Sequence, residues 1–355
     1  MPTEYEKRRL VGVHEERISD VSSTDYPGVY PGEDNSWNLE NLKKNLTVKV
    51  QRLSQHSIDF DLIGVDAAIA NAFRRIMIAE VPTVAVEQVY VWDNNTVIVD
   101  EVLAHRIGMV PLNVNPAVMN WRVGDSPPTD RDTIVFKVDL TCTRNLSAPK
   151  GSTNPSELYI NHEFLSSHMT WVPVGEQAEI FAGCPPAASN QDIVLAKLRP
   201  GQSINMELHA VKGVGKDHAK FNPVATASYR LLPHIKITKP IPAEHAERFA
   251  KCFSPGVIKI DPKTKAVSVD EQNVRKDSVS REVLRHPEFR DSVELSRVRD
   301  FFLFNIESEG PYAPERLFPE SIKVMREKIA IMKAAAEALL NDHNGNGDGD
   351  VSMAG

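Results

Sequence analysis

The chain has 355 residues, with 41 Lys and Arg against 48 Asp and Glu, which gives a formal charge of −7. This length predicts about two domains with a sizeable core. The net negative charge argues against a protein that binds nucleic acid on its own, because such binding depends on clustered Lys and Arg that neutralise phosphates. We therefore expect no direct sequence-specific nucleic-acid binding, and a place beside nucleic acid within a larger assembly stays open.

The three cysteines, Cys142, Cys184 and Cys252, form no CxxC pair. A zinc ribbon, an iron–sulfur cluster and a disulfide scaffold therefore lose support, and we expect no metal and no cofactor. The sequence has no run of 18 apolar residues, and its charged first residues do not resemble a secretion signal. We expect an intracellular chain without a membrane span.

Residues 1–40 are polar and rich in turn formers, which predicts an extended and mostly unpaired arm, with Tyr26, Tyr30 and Trp37 as anchors onto another surface. Apolar and polar residues then alternate over 46–51 and 58–62, and this period of two predicts two half-buried strands.

A helix is predicted between Asp66, a favourable N-cap, and Pro82, which closes the segment. Helical spacing places four apolar residues on one face: Ile69, Phe73, Ile76 and Met77. Four other residues project from the opposite side: Asn71, Arg74, Arg75 and Ile78.

The middle of the chain, about 90–225, has predicted strands at 134–140 and 203–211 between loops rich in Pro, Ser and Asn, which predicts a β-rich insert. A strand over 84–92 precedes it. Strands return at 231–237, 257–260 and 301–306, and a long helix follows Pro319. Residues 341–355 are rich in Gly, Asn and Asp, which predicts a disordered tail.

The C-terminal helix carries apolar residues at alternating spacings of four and three, the pattern by which one helix packs along another. This stripe consists of Phe318, Ile322, Met325, Ile329, Met332, Ala336 and Leu339, and a second stripe roughly opposite consists of Val324, Ile331, Ala335 and Ala338. Two interpretations stay open. The helix is buried within one core, or one stripe covers this chain's own sheet and the other meets a partner helix.

No motif indicates an active site. His105 and His218 have no nucleophile or paired carboxylate at catalytic spacing, and the glycines at 213 and 215 lack the remaining residues of a phosphate-binding loop. We expect a protein that is not itself an enzyme. The rival hypothesis is a stand-alone enzyme that uses His105 or His218.

Several dense strings resemble one family. Residues 66–78, with Asn71, Arg74 and Arg75, resemble the Asn-x-x-Arg-Arg helix of the α-like subunits of multisubunit RNA polymerases, and residues 94–112 resemble that family's second signature. Residues 142–152, 213–233 and 275–285 resemble the larger α-like subunit shared by eukaryotic RNA polymerases I and III. The polymerase II counterpart normally carries a cysteine-liganded zinc loop, and this chain lacks those cysteines.

The resemblance implies an α+β fold in which a β-rich domain, 90–228, is inserted into a discontinuous dimerisation domain made of 41–89 and 229–340. It also implies a non-catalytic assembly subunit, in the nucleus including the nucleolus, for the transcription of rRNA, 5S rRNA and tRNA. The implied partners are a smaller α-like subunit, the second-largest subunits of polymerases I and III, and small zinc-binding subunits. The equivalent subunit of polymerase II is the alternative.

The resemblance also implies interface residues. Arg74 and Arg75 are expected to contact the second-largest subunit, with Asn71 and Ile78 on the same surface, and a solvated face is the alternative. In the C-terminal helix, the residues expected to meet a partner are Ile322, Met325, Ile329, Met332 and Leu339.

Overall fold

The computed structural model describes residues 9–21, 38–124 and 126–345. Its strands are β1 (Leu10–Val13), β2 (Ile18–Ser19), β3 (Thr47–Leu53), β4 (Ser57–Ile63), β5 (Thr83–Asn94), β6 (Thr133–Thr141), β7 (Thr143–Arg144), β8 (Tyr159–Ile160), β9 (Glu163–Leu165), β10 (Thr170–Val172), β11 (Val194–Lys197), β12 (Ser203–Gly213), β13 (Val224–Ile237), β14 (Ile258–Ile260), β15 (Val267–Val269) and β16 (Val293–Ser308).

The α-helices are α1 (Leu39–Asn45), α2 (Ala67–Ala79), α3 (Asp100–Gly108), α4 (Pro155–Leu158), α5 (Gln177–Ile180), α6 (Ala246–Lys251), α7 (Pro287–Arg290) and α8 (Pro314–Gly345). The mixture of helix and sheet agrees with the predicted α+β class. None of the described helices is long and apolar enough to cross a membrane.

The chain packs as two compact units. The described part of the first comprises residues 9–21, 38–52, 58–72 and 228–305, and that of the second comprises 53–57, 73–124, 126–227 and 306–345. Residues 73–89 and 306–340, which the sequence assigned to the dimerisation domain, thus pack with the middle of the chain. The predicted division into a dimerisation domain and an insert stays a prediction.

The first unit is built on a six-stranded sheet in the order β2-β1-β16-β4-β3, with β13 also paired to β16. Strand β4 is largely buried, and its Phe60 ring stacks on Phe304 of β16 at 5.0 Å between centroids. Strand β3 lies at the sheet edge, and all seven of its residues are exposed. The prediction of a half-buried strand was therefore right for the β-structure of β3 and wrong for its burial.

Over its described part, the N-terminal segment also differs from the extended, mostly unpaired arm that the sequence predicts. Leu10 pairs with Val298, Val13 pairs with Leu295, and the side chains of Val11 and Val13 are buried. Two buried valines in a four-residue strand are too short a pattern to separate from an irregular segment. Helix α1 begins at Leu39, and the proposed anchors Tyr26, Tyr30 and Trp37 lie outside the described residues.

A buried carboxylate links strands of the first unit to its later loops. Asp61 of β4 is fully buried. Its carboxylate accepts a hydrogen bond from Gln51 Nε2 at 2.6 Å and forms an ion pair with Arg275. Arg230 of β13 donates to the carbonyl of Asp277 at 3.0 Å. These bonds fix residues 275–277 beside the sheet, since a buried charge without partners costs several kcal/mol.

The second unit contains an antiparallel four-stranded sheet in the order β10-β6-β12-β5. Alternate residues of β6, among them Ile134, Phe136 and Val138, point into a core that also receives Leu103 and Ile107 of α3. The predicted strands over 84–92, 134–140 and 203–211 therefore form one sheet.

Helix α8, which was predicted to follow Pro319, begins five residues before it at Pro314 and includes Pro319. Pro319 lies in the second turn, so it removes one hydrogen bond near the helix start without ending the helix. The helix continues to Gly345, so residues 341–345 of the predicted disordered tail are helical. The rest of that tail lies outside the described residues.

Candidate partner interface

Helix α2 begins as the sequence predicts. The Asp66 carboxylate accepts the Ala68 N–H at 2.7 Å, and its carbonyl accepts the Ala70 N–H at 3.2 Å, which satisfies two donors of the first turn. Ala70, Ile76 and Met77 are buried. Ile69 was expected on the buried face, but it is 39% exposed because the buried stripe runs through Ala70 and Met77, one position further along the helix.

The four α2 residues expected at an interface differ in exposure. Asn71, Arg74 and Ile78 are half-buried, and Arg75 is exposed. Asn71 and Arg74 already have partners within the chain. Arg75 is therefore the member of this set that is most available to another protein.

The first turns of α8 are anchored on the middle of α2. The Phe318 ring meets Phe73 edge-to-face at 5.0 Å between centroids, and Leu317 is fully buried. Just before the helix, the Tyr312 hydroxyl donates to the carbonyl of Pro82 at 2.9 Å. Burial raises the pKa of the Tyr312 phenol, so the hydroxyl keeps its proton and remains a donor.

One ion pair holds α8 further along. Lys328 Nζ lies 2.7 Å and 2.8 Å from the two carboxylate oxygens of Glu80, which directly follows α2. Sequence reasoning missed this pair because its members lie far apart in the chain, and no local spacing rule connects them.

From residue 326 to residue 340, every described side chain of α8 is exposed. Of the predicted interface residues, two lie just before this segment and three lie along it. Met325 is half-buried, Ile322 is 38% exposed, Ile329 is 58% exposed, and Met332 and Leu339 are each 71% exposed. Leu340, which the prediction did not include, is 65% exposed.

This exposure excludes the interpretation of α8 as a helix buried within one core of this chain. It also changes the second interpretation, because Ile331 of the other stripe is 69% exposed. Beyond Met325, both apolar stripes face away from the described chain. The sequence alone shows two stripes, and only the fold shows which turns remain uncovered.

His105 and His218, the residues of the rival enzyme hypothesis, do come together. Their ring centroids lie 6.4 Å apart in a crevice that is also lined by Glu87 and Lys220. The crevice lining contains no Ser, Thr or Cys side chain to act as a nucleophile. The geometry therefore offers a pair of imidazoles without the group that they would activate.

The described part of the chain contains no cluster of three or more His, Cys, Asp or Glu residues arranged to hold a metal ion. Cys142 and Cys252 are buried, and burial raises the pKa of both thiols. A thiol kept protonated is a poor metal ligand and a poor nucleophile, so these two cysteines act as small core residues.

Comparison with known proteins identifies the family. Residues 59–329 match the model of the RNA polymerase Rpb3/Rpb11 dimerisation domain. The chain is 49% identical over 328 residues to the DNA-directed RNA polymerases I and III subunit RPAC1 of Saccharomyces cerevisiae, which covers 91% of this chain and 97% of the relative.

A second relative is the subunit of the same name in Homo sapiens, 46% identical over 324 residues, with 91% of this chain and 94% of that protein covered. The DNA-directed RNA polymerase II subunit rpb3 of Dictyostelium discoideum is more distant, at 28% identity over 316 residues, with 86% of this chain and all of that protein covered. The chain therefore belongs to the Rpb3/Rpb11 dimerisation family of RNA polymerases, among the α-like subunits shared by polymerases I and III.

Proposed function

We propose that the chain is a non-catalytic assembly subunit of RNA polymerases I and III. It pairs with a smaller α-like subunit, and the pair is the platform on which the large catalytic subunits are placed. Its place of action is the nucleus, including the nucleolus, in the transcription of rRNA, 5S rRNA and tRNA. Identities of 45–49% to subunits named for polymerases I and III support this function over the polymerase II alternative, for which the relative is 28% identical.

The exposed part of α8 carries the proposal. Fifteen consecutive exposed residues span about 22 Å of helix at 1.5 Å per residue. Ile329, Met332 and Leu339 on this segment form an apolar stripe in water, which marks a surface that another protein covers. We propose that the smaller α-like subunit covers it. The family model is named for a pair of different chains, which favours a heterodimer over two copies of this chain.

We further propose that residues 41–89 and 229–340 act together as the discontinuous dimerisation domain, with 90–228 as the inserted β-rich domain. Strands β6, β10 and β12 lie within 90–228 and support a β-rich insert, and β5 joins their sheet across the boundary at 89–90. The surfaces of this insert are the candidates for the small zinc-binding subunits.

The exposed face of α2 is proposed to contact the second-largest subunits. Arg75 is exposed, and its planar guanidinium group suits two parallel hydrogen bonds to a carboxylate across an interface. Asn71, Arg74 and Ile78 are proposed to form the half-buried edge of the same surface.

Affinity purification of the tagged chain from its own cells, followed by mass spectrometry, tests the proposal. We expect the large subunits of both polymerases I and III, with the smaller α-like chain in equal amount. Recovery of polymerase II subunits in their place would support the alternative. Recovery of the chain without any polymerase subunit would overturn the proposed function.

A further inference from the structure

The crevice that holds His105 and His218 is not explained by the dimer interface. It lies entirely within the second unit, between α3, β5 and the turn at 218–220, and has a volume of about 240 Å³. Both imidazole rings are exposed at its rim, whereas the Lys220 side chain is only 12% exposed. The crevice therefore combines a buried ammonium with two exposed imidazole rings.

The hydrogen bonds of His218 fix what its ring offers to the crevice. Its Nδ1 accepts the backbone N–H of Lys220 at 3.1 Å, which caps the short 3-10 turn Ala219–Phe221. A nitrogen that accepts an N–H cannot carry the proton of a neutral imidazole, so that proton resides on Nε2. His218 therefore presents an N–H donor, and a ring in this tautomer has no Nε2 lone pair for a metal ion.

Lys220 adds a second donor. One of its three N–H groups bonds to the carbonyl of Val86 at 2.8 Å, and another pairs with the Glu87 carboxylate. The third N–H has no hydrogen-bond acceptor among the described residues, and the ammonium also lies 5.2 Å from the centroid of the Phe221 ring. No hydrogen bond of the described residues engages the His105 side chain, so the crevice offers Lys220, His218 and His105 to an acceptor from outside.

We propose that this crevice binds the carboxylate side chain of an Asp or Glu on a neighbouring polymerase subunit. The inference rests on the proposed function, because it requires that the chain be part of the assembled enzyme. A carboxylate accepts several hydrogen bonds at once, and a hydrogen bond to an ionised acceptor is roughly twice as strong as one between neutral groups.

The charge balance favours a tethered carboxylate over a free small anion. Glu87 already neutralises Lys220, so a dissolved anion gains little net attraction in the crevice. An acidic side chain on a docked subunit needs less attraction from the crevice itself, because the rest of the interface holds it in place. It adds orientation and selectivity to the docking.

Two substitutions remove the imidazole donors and keep the turn at Ala219–Phe221 capped. In His218→Asn, the Asn side-chain oxygen can still accept the Lys220 N–H, since Asn is a favoured capping residue. The Asn amide nitrogen then takes the place of the ring carbon Cδ2, so the donor at the Nε2 position is lost. His105→Leu removes the second imidazole from an exposed helical position and keeps good helix propensity. His105→Gln is the matched control, because its amide still donates.

The tagged double variant His105→Leu/His218→Asn is purified from its own cells beside the wild type and His105→Gln. We expect unchanged pairing with the smaller α-like subunit and about tenfold less of one further subunit after a salt wash, with recovery in the His105→Gln control. Equal subunit yields in the double variant and the wild type would overturn the crevice proposal alone. Failure of the wild type to recover any polymerase subunit would instead overturn the proposed function.

Footprinting tests occupancy directly. Diethyl pyrocarbonate is expected to modify His105 and His218 in the isolated heterodimer and to leave both protected in the purified polymerase. A carbodiimide is expected to join Lys220 to an acidic residue of another subunit only in the polymerase. Equal reactivity of the histidines in both samples would contradict the proposal. Protection of the isolated heterodimer by added acetate would also contradict it, since the crevice would then be a site for a free anion.

Discussion

Lys328 and Glu80, 248 positions apart in the chain, form an ion pair in which the ammonium lies within 2.8 Å of both carboxylate oxygens. The pair lies within the stretch where α8 becomes exposed on all sides. It therefore ties the first exposed turn of α8 to Glu80, the residue that directly follows α2. Its effect is to direct the exposed turns rather than to supply much stability, because the Lys328 side chain is 52% exposed.

A charge reversal tests this link. Lys328→Glu places two carboxylates together and should lower the free energy of unfolding by about 1 kcal/mol, measured by urea denaturation of the purified chain. The double exchange Glu80→Lys/Lys328→Glu restores the attraction and should recover most of the loss. If the effect of the double exchange equals the sum of the effects of Glu80→Lys and Lys328→Glu measured singly, the pair does not form in solution.

Ile329→Asp tests the partner-facing role of α8. The position is exposed in the chain by itself, so the substitution should leave its unfolding midpoint nearly unchanged. In the heterodimer, a carboxylate in an apolar contact costs several kcal/mol, which at about 1.4 kcal/mol per tenfold weakens pairing more than 100-fold. Size-exclusion chromatography of the co-expressed chains measures this loss.

Ala330→Asp is the matched control, because it adds the same carboxylate one residue away, at an exposed position outside both apolar stripes. It should leave the heterodimer intact. Equal disruption by both substitutions would mean that helix stability, and not the stripe, controls pairing.

Arg75→Glu should separate pairing from further assembly. Arg75 is exposed, so the reversal should leave the fold and the heterodimer unchanged while the recovery of the second-largest subunits falls at least tenfold. Quantitative mass spectrometry of the tagged complex gives the measurement. Arg144→Glu, at an exposed position of β7, is the control and should recover those subunits normally. Normal recovery with Arg75→Glu would assign Arg75 to a solvated face.

Sequence patterns were most informative where one element determines its own structure. Asp66 and Pro82 bracket α2, and alternation located β3 and β4, because capping and strand periodicity act over a few residues. The strands predicted at 84–92, 134–140 and 203–211 correspond to β5, β6 and β12. The sequence resemblance also identified the family, which the comparisons confirm.

The errors concern relationships between distant segments. Burial of a strand depends on what lies over it, so the period-two pattern of β3 predicted the strand and not its exposed edge position. The pairing of β1 with β16, the ion pair between Glu80 and Lys328, and the meeting of His105 with His218 all join residues that no local pattern connects. Which turns of α8 are uncovered follows from the same long-range packing.

Asp61→Asn tests the buried polar link of the first unit. The substitution keeps the shape of the side chain but removes the charge that faces Arg275, which leaves a guanidinium group without its ionic partner. We expect a loss of about 2–3 kcal/mol in the free energy of unfolding by urea denaturation. Asp59→Asn is the control, since Asp59 is partly exposed, its ionic partner Arg52 lies in solvent, and the Asn oxygen can still accept the hydrogen bond from Asn305. Its loss should stay below about 1 kcal/mol.

Because the Tyr312 hydroxyl is buried, the free energy of unfolding should fall at alkaline pH. Burial raises the pKa of this phenol above its ordinary value of 10.0. Below pH 10 the residue is protonated in the folded and unfolded chains, and its contribution is complete. Above pH 10 the unfolded chain releases the proton that the folded chain retains, so each further pH unit lowers the free energy of unfolding by about 1.4 kcal/mol until the folded phenol ionises.

Tyr312→Phe removes this proton and keeps the ring. At neutral pH the variant should be about 1 kcal/mol less stable, because the hydrogen bond to the Pro82 carbonyl is lost. Above pH 10 its stability should fall less steeply than that of the wild type, by the same 1.4 kcal/mol per unit. Urea unfolding at a series of pH values compares the two slopes. Parallel slopes would mean that the hydroxyl is not buried in solution and that α8 is not anchored through it.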